Sequence, residues 1–353
     1  MKASVITIKG LYNYGAVLQG YATCEYLNSI GCDVELIDYY PEYFEKDVPK
    51  IKKLLINLVT TVKRRKLERF VRENIKLTKK TYRNINEIKN DNIKSDVYVV
   101  GSDQVWNSQL SLGRLDPAYF LDFTNSKNKI AISSSIGRTD VTDEELKEMK
   151  EYLKSFSSIS VREQSAKDLL ERIGVEDIVN ILDPVFLLEM EDYKKFIRPV
   201  NHKKYLLIYS FERNETTQKI ANEIAKRLNL KIVEIGIFKS KYDCDKYEHN
   251  AGIEEFLSLI HNAEFIVTSS FHGTAFSILL NKQFISVAPT LRKTRLENIT
   301  SLFGISDRLI TEKSDYDIEK IIEPIEYTDI NKLIKENSDK GRNFIKNAIG
   351  KID

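Results

Sequence analysis

Short apolar runs alternate with helix-length segments of mixed polarity, and the order is laid down twice along the chain. Residues 4–8 are a β-branched run, 10–15 a glycine-bearing loop, and 16–29 a stretch of helical periodicity that Gly31 ends; 34–37 is the next apolar run. These make one βαβ unit, right-handed by default. Residues 51–78 read as one long helix in which Leu54, Leu55, Leu58, Val59, Val62, Leu67, Phe70 and Val71 alternate with lysines and arginines. Apolar runs at 96–100, 130–133, 159–161 and 180–182 read as buried parallel strands, with helices over 143–156 and from Glu163 to Ile173. After the turn pair Asp183-Pro184 the pattern restarts: strand 205–209, helix 216–228, strand 231–235, a polar loop over 238–250 and helix 253–261. Strand 265–267, a polar turn, helix 274–280 and strand 284–287 follow, and 332–349 read as a terminal charged helix.

Two successive βα series imply an α/β chain of two Rossmann-like, doubly wound domains facing a cleft. The predicted division is residues 1–182, residues 183–330, and a C-terminal helix over 331–353 that packs back across the first domain. A length of 353 residues, 42% of them hydrophobic, supports two cores rather than one. The 54 basic and 52 acidic side chains nearly cancel, to +2, so no nucleic-acid partner is expected. Abundant lysine, isoleucine and asparagine point to an AT-rich bacterial genome. Cys24, Cys32 and Cys244 form no CxxC pair and no even framework, which fits a reducing cytoplasm. The opening MKASVITIKG reads as a strand with no apolar signal core, and no run approaches the roughly 18 apolar residues of a membrane span. The basic helix over 51–78 has two readings. It lies on an anionic membrane surface, or it packs on its own domain with a solvated charged face.

In open α/β sheets ligands bind beyond the carboxyl ends of the strands, which places three loops. The turn Thr268-Ser269-Ser270-Phe271-His272-Gly273 opens a helix, where free N–H groups and the helix dipole suit an anion, phosphate above all. His272 adds a group that exchanges a proton near neutrality; the competing reading is a histidine that only hydrogen-bonds in a tight turn. The loop Gly101-Ser102-Asp103-Gln104-Val105-Trp106-Asn107 holds the single tryptophan, either a platform for a sugar ring or a core residue beneath the loop. Arg162 sits at a helix start, where a cation opposes the dipole, so it has an anionic partner: a ligand, or a buried network with Glu163. The first loop lacks G-x-G-x-x-G spacing, and there is no P-loop, H-E-x-x-H or G-x-S-x-G. His202, His249 and His261 are isolated, and Asp243-Cys244-Asp245 reads as a solvated turn, so no metal is expected.

Five blocks together resemble the polysaccharide pyruvyl transferase family. They are Tyr12-Asn13-Tyr14-Gly15-Ala16-Val17-Leu18-Gln19, Val100 to Asn107, Ser160-Val161-Arg162-Glu163, Leu182-Asp183-Pro184-Val185 and Ser270-Phe271-His272-Gly273. Their order and spacing span residues 4–308. The resemblance implies a GT-B-like pair of Rossmann-like domains. It also implies transfer of pyruvate from phosphoenolpyruvate to two hydroxyls of a sugar in a capsule, an exopolysaccharide or a lipid-linked precursor, with a cyclic ketal formed and phosphate released. The family's arginine falls on Arg162 and its histidine on His272, both toward phosphoenolpyruvate, within a donor set completed by Ser270, Phe271 and Gly273. Some members carry arginine where this chain has Ser270; Lys293 or Arg295 is expected to replace that charge. His272 is expected to act as acid and base, with Asp103 accepting a proton from, or orienting, the acceptor hydroxyl. Asn13, Tyr14, Gly15, Ser102, Asp103, Gln104 and Trp106 make the expected acceptor set. Phosphoenolpyruvate enters as co-substrate, without metal or cofactor, and a lipid-linked oligosaccharide is the expected partner. Two rivals stay open: a nucleotide-sugar glycosyltransferase of the same architecture, and a non-catalytic partner in polysaccharide assembly.

Overall fold

The computed structural model describes residues 1–9, 13–44, 50–288, 293–311 and 314–352, with the side chains of 50–58 left out. Strands β1 (Lys2–Ile6), β2 (Asp33–Leu36), β3 (Val97–Val100), β4 (Lys129–Ser134), β5 (Ser158–Val161) and β6 (Ile178–Asn180) form one six-stranded sheet in the order β2-β1-β3-β4-β5-β6. Strands β7 (Tyr205–Tyr209), β8 (Lys231–Ile235), β9 (Lys246–Glu248), β10 (Phe265–Thr268), β11 (Phe284–Ala288) and β12 (Leu309–Thr311) form a second, in the order β12-β11-β10-β7-β8-β9. Every pairing is parallel. Central strands of such sheets are covered on both faces, which is why β3 and β10 are buried throughout and read as unbroken apolar runs.

Each sheet reverses its strand order once. In the first, the chain goes from β1 out to β2 and returns to the far side of β1 as β3. In the second, it goes from β7 through β8 to β9 and returns beside β7 as β10. At such a reversal the loops leaving the two strands part to opposite faces and leave a crevice at their carboxyl ends. The loops after β1 and β3, and the turn after β10, are therefore in ligand-binding positions.

The chain divides into two compact units, Met1–Lys50 with Arg69–Leu188 and Glu336–Asp353, and Ile51–Glu68 with Glu189–Lys335. The first unit thus runs past the boundary placed at 182, and Ile51–Glu68 goes with the second. Helix Tyr327–Gly350 starts before the expected residue 332, and its part from Glu336 packs on the first unit as expected. There Tyr26 Oη donates to the Arg342 carbonyl (3.2 Å) and Arg342 Nε to the Leu187 carbonyl (3.0 Å).

Three local readings need correction. Strand 180–182 lies earlier, at Ile178–Asn180, where Ile159, Ser160 and Val161 of β5 pair with Ile178, Val179 and Asn180. The loop read over 238–250 contains β9, a three-residue edge strand too short to show alternation. The long helix, Lys50–Asn74, stops short of Thr78 because the chain turns to extend the first sheet: Leu36 N donates to the Lys76 carbonyl (2.8 Å) and Thr78 N to the Leu36 carbonyl (3.0 Å). Over its described side chains that helix buries two polar residues with its apolar ones and leaves two apolar residues out. Thr60, Lys63, Leu67, Phe70 and Val71 are buried, whereas Val59 and Val62 are 49% and 48% exposed. Lys63 Nζ donates to the Gly236 carbonyl (3.1 Å), and burial pulls its ammonium down to about 7. Among the described residues no helix is long and apolar enough to cross a membrane.

Candidate functional site

In the second unit the site is built at the strand-order reversal. Thr268, the last residue of β10, donates through Oγ1 to the Tyr209 carbonyl at the end of β7 (2.7 Å) and accepts from Ser270 N (3.1 Å). The hydroxyls of Ser210 and Ser269 meet at 2.7 Å, so the carboxyl ends of β7 and β10 are laced together. Ser270 is the N-cap of helix Phe271–Leu279, its Oγ accepting from Gly273 N (3.3 Å). His272 lies in the first turn of that helix, buried, with its ring edge-on to Phe271 at 5.2 Å. A Cβ at Gly273 would fall 2.2 Å from Thr268 Oγ1 and 3.0 Å from Tyr209 Cδ1, so only glycine fits. Burial pushes the Tyr209 phenol up, a hydrogen bond from Ser270 acting the other way, so it stays a neutral donor. The positive end of the helix dipole makes this turn suited to a phosphate or carboxylate.

The first unit carries a second construction, around Asp103. This residue follows β3 with a φ of 72°, in the left-handed region that aspartate tolerates better than most side chains. The neighbours are fixed on both sides. Ser102 accepts at its carbonyl from Thr7 Oγ1 (2.6 Å) and donates from Oγ to Asp183 Oδ2 (3.2 Å). Ser135 N donates to the Asp103 carbonyl (3.1 Å), and Ser135 Oγ donates to Glu163 Oε1 (2.6 Å). Arg162 joins the two arms, Nη1 to Asp183 Oδ2 at 2.8 Å and Nε to Glu163 Oε1 at 3.2 Å. Burial opposes the Arg162 charge, but Glu163, Asp183 and Asp103 more than offset it, so the guanidinium is held above its ordinary range. Gln19 Nε2 donates to Thr7 Oγ1 (3.0 Å) and to the Ala16 carbonyl (2.8 Å), and Asn13 Oδ1 caps helix Tyr14–Ser29 by accepting from Gly15 N and Ala16 N.

A family model described as polysaccharide pyruvyl transferase matches residues 13–290. The chain belongs to the polysaccharide pyruvyl transferase family. It is accordingly a transferase, acting on a polysaccharide acceptor with a pyruvate donor. No curated protein matches it significantly. Among solved structures, UDP-GlcNAc 2-epimerase from Neisseria meningitidis bound to UDP-GlcNAc is similar over 99% of this chain and 100% of its own, at 13% identity and a TM-score of 0.55. The UDP-GlcNAc 2-epimerase from Methanocaldococcus jannaschii aligns over 98% and 99%, at 16% identity and 0.56. Arabidopsis thaliana UGT89C1 complexed with UDP-L-rhamnose aligns over 98% of both chains, at 8% identity and 0.50. At these identities the likeness shows the fold, two Rossmann-like domains of GT-B type.

In this pyruvyl transferase the expected donor residues Ser270, Phe271, His272 and Gly273 share one turn. Ser270 is the cap of that turn. Lys293 pairs with Glu297 one helical turn on (2.7 Å), and Arg295 lies partly buried in helix Thr294–Leu302. Leu291 and Arg292 of the same basic stretch, and Tyr12 of the first block, lie outside the described residues. Arg162 is in the first unit with its side chain 2% exposed and in the buried network described above, so its anionic partners are Asp183 and Glu163. Asn13, Tyr14, Gly15, Ser102, Asp103 and Gln104 gather at the β1/β3 reversal; Tyr14, Gly15, Ser102 and Asp103 are buried there. Trp106 is corrected to a core residue: it is fully buried, stacked on Phe120 at 5.6 Å, and its Nε1 donates to the Tyr119 carbonyl (3.1 Å). It has no face open to a sugar. Asp245 Oδ2 accepts from Ile232 N (2.8 Å), and among the described residues no three His, Cys, Asp or Glu side chains are grouped to hold a metal ion. The sequence reading gave no role to Thr7, Gln19, Ser135 or Asp183. The signal for Gln19 was a polar residue inside an otherwise apolar helix stretch.

Proposed function

We propose that this family member transfers pyruvate from phosphoenolpyruvate to two hydroxyls of one sugar, closing a cyclic ketal and releasing phosphate. The observation that carries the reading is His272 in an anion-suited helix start at the strand-order reversal of the second sheet, in a chain whose family transfers pyruvyl groups. The donor's phosphate or carboxylate sits on the N–H groups of that turn, with Arg295 or Lys293 as the added cation. His272 protonates the enol phosphate at its methylene carbon. The acceptor hydroxyl attacks the resulting cationic carbon, its proton going to Asp103. The second hydroxyl then displaces phosphate at the same carbon and returns a proton to His272. Asn13, Asp103 and Gln104 orient the sugar.

The acceptor is a lipid-linked oligosaccharide met at the cytoplasmic face of the membrane. Helix Lys50–Asn74 supports this by exposing Val59 and Val62 beside Arg65, Arg69 and Arg72, an apolar and cationic face suited to anionic lipid. Sedimentation with phosphatidylglycerol vesicles checks the contact: wild type should pellet and an Arg65→Glu, Arg69→Glu variant should not. Wild type staying in solution would remove the contact and leave the reaction standing.

Mass spectrometry of sugar acceptors incubated with enzyme and phosphoenolpyruvate tests the reaction. The expected result is a pyruvyl adduct with one phosphate released per adduct. His272→Ala should lower kcat about 100-fold or more with a smaller change in phosphoenolpyruvate affinity. Binding of a nucleoside diphosphate with no adduct from phosphoenolpyruvate would favour a nucleotide-sugar transferase instead.

A further inference from the structure

Phenylalanines follow three neighbouring strands of the second sheet at their carboxyl ends. The strands lie in the order β10-β7-β8; Phe271 comes three residues after β10, Phe211 two after β7 and Phe238 three after β8. Phe211 is 43% exposed and Phe238 51%. A single exposed phenyl group is ordinary on a protein surface. Phe211 differs in the loop that carries it. Ser210 and Asn214 on either side are buried while the phenyl group stands out, the reverse of the usual sorting of polar and apolar side chains.

That arrangement is pinned. Ser210 Oγ lies 2.7 Å from Ser269 Oγ and donates to the Glu212 carbonyl (2.8 Å). Asn214 Oδ1 caps helix Glu215–Leu228, accepting from Thr216 N (2.8 Å). From the loop after β8, Tyr242 Oη donates to the Glu212 carbonyl (2.7 Å) and Lys241 Nζ to the Phe211 carbonyl. The phenyl ring rests on Tyr209, centroids 5.5 Å apart and planes at 60°. Tyr209 presents Cδ1 to Gly273, where an added Cβ would come within 3.0 Å. One tyrosine ring thus separates Phe211 from the residue beside His272.

The chemistry gives such a wall a use. Once the methylene carbon is protonated, the neighbouring carbon is cationic and accepts any oxygen nucleophile. A sugar hydroxyl leads to the ketal. Water leads elsewhere: its oxygen bonds to the cationic carbon with loss of one proton, the carbon–oxygen bond to phosphate then breaks with loss of the other, and pyruvate and phosphate leave. Water is in vast excess over any sugar, so a transferase must keep it from that carbon. The turn at His272 suits an anion and by itself would attract water.

We propose that Phe211 is an apolar wall beside the donor turn that keeps water from the cationic carbon, and so sets the preference for a sugar hydroxyl over water. The inference rests on the pyruvyl-transfer reading above.

The test is the partition of pyruvate between two products. Free pyruvate is read by lactate dehydrogenase and NADH oxidation, with and without a sugar acceptor, and ketal-bound pyruvate by mass spectrometry. Phe211→Ala should raise the ratio of free to ketal-bound pyruvate about tenfold or more, and should release pyruvate from phosphoenolpyruvate without any acceptor. Phe211→Leu keeps an apolar cover and should stay within about threefold of wild type. The melting temperature should hold in both, as expected for a half-exposed side chain. A folding defect lowers both products and cannot create the leak. An unchanged ratio in Phe211→Ala would overturn the proposal, whether total activity holds or falls. An unchanged ratio with a raised acceptor KM would make the ring a sugar platform instead, and one with weakened phosphoenolpyruvate binding a donor contact. A leucine variant as leaky as the alanine one would also overturn it. Wild-type enzyme that forms neither product from phosphoenolpyruvate overturns the reaction and this inference together; an active wild type with any of the other failing patterns overturns the inference alone.

Discussion

Gly273 is the residue on which the donor turn depends most directly. A methyl group there would enter the space of Thr268 Oγ1, which is itself bonded to the Tyr209 carbonyl and to Ser270 N. Gly273→Ala should therefore destabilise the protein by about 1–3 kcal/mol, as overpacking does, and lower the urea midpoint accordingly. An unchanged midpoint would mean the turn is softer than described. Lys63 gives a prediction of a different kind. Burial lowers its folded pKa to about 7 from the ordinary 10.5, so the unfolded chain binds more protons between those values. Lys63 should add a rise in stability with pH from about 7 toward 10.5, and Lys63→Met should remove that contribution, as urea titrations of both proteins at several pH values would reveal. The sequence displayed His272 and Asp103 through their neighbours in the chain. It offered Glu163 as a partner of Arg162 but could not display Asp183, which is 21 residues away and meets it only through the alignment of β5 and β6. Trp106 was equally ambiguous: its type fits both a sugar platform and a core, and only the stacking on Phe120 decides.

At the level of elements, the strands were legible and their edges were not. Strands β7 and β8 lie where the apolar runs place them; β7 is buried throughout, and β8 from Ile232 on. Strands β9 and β12 sit at the ends of the second sheet's half-orders and are three residues long, so no periodicity marks them. Helix Lys50–Asn74 shows the opposite failure. Its composition is amphipathic, but which face is buried depends on Gly236 and on Glu255, the partner of Lys66, both far along the chain. The loop after β3 gives an element-scale test. If Trp106 anchors it from beneath, Trp106→Ala should cost about 3–5 kcal/mol in stability. Trp106→Phe, which keeps the stacking, should leave the acceptor KM unchanged in steady-state assays. A raised acceptor KM in a well-folded Trp106→Phe variant would return the indole to the sugar site.

For the whole molecule, the sequence showed the double βα series and so the two Rossmann-like halves. It did not show that each half borrows a segment from elsewhere in the chain, since a borrowed helix looks locally like any other. The first unit takes Glu336–Asp353, whose Ile345 and Ala348 are buried, and the second takes Ile51–Glu68. Ending the chain at Lys335 should therefore destabilise the first unit, where Gly341 packs within reach of Leu187 and Ile181. Proteolysis with mass mapping should find cleavage gathering in residues 1–50 and 69–188. The same interleaving governs how the protein is born. On the ribosome the second unit has all its pieces once Lys335 has emerged, but the first, whose earliest segment precedes Ile51, stays unsealed until Glu336–Asp353 has followed. The half that starts first finishes last, and during that interval its exposed apolar surface is where a nascent-chain chaperone would bind.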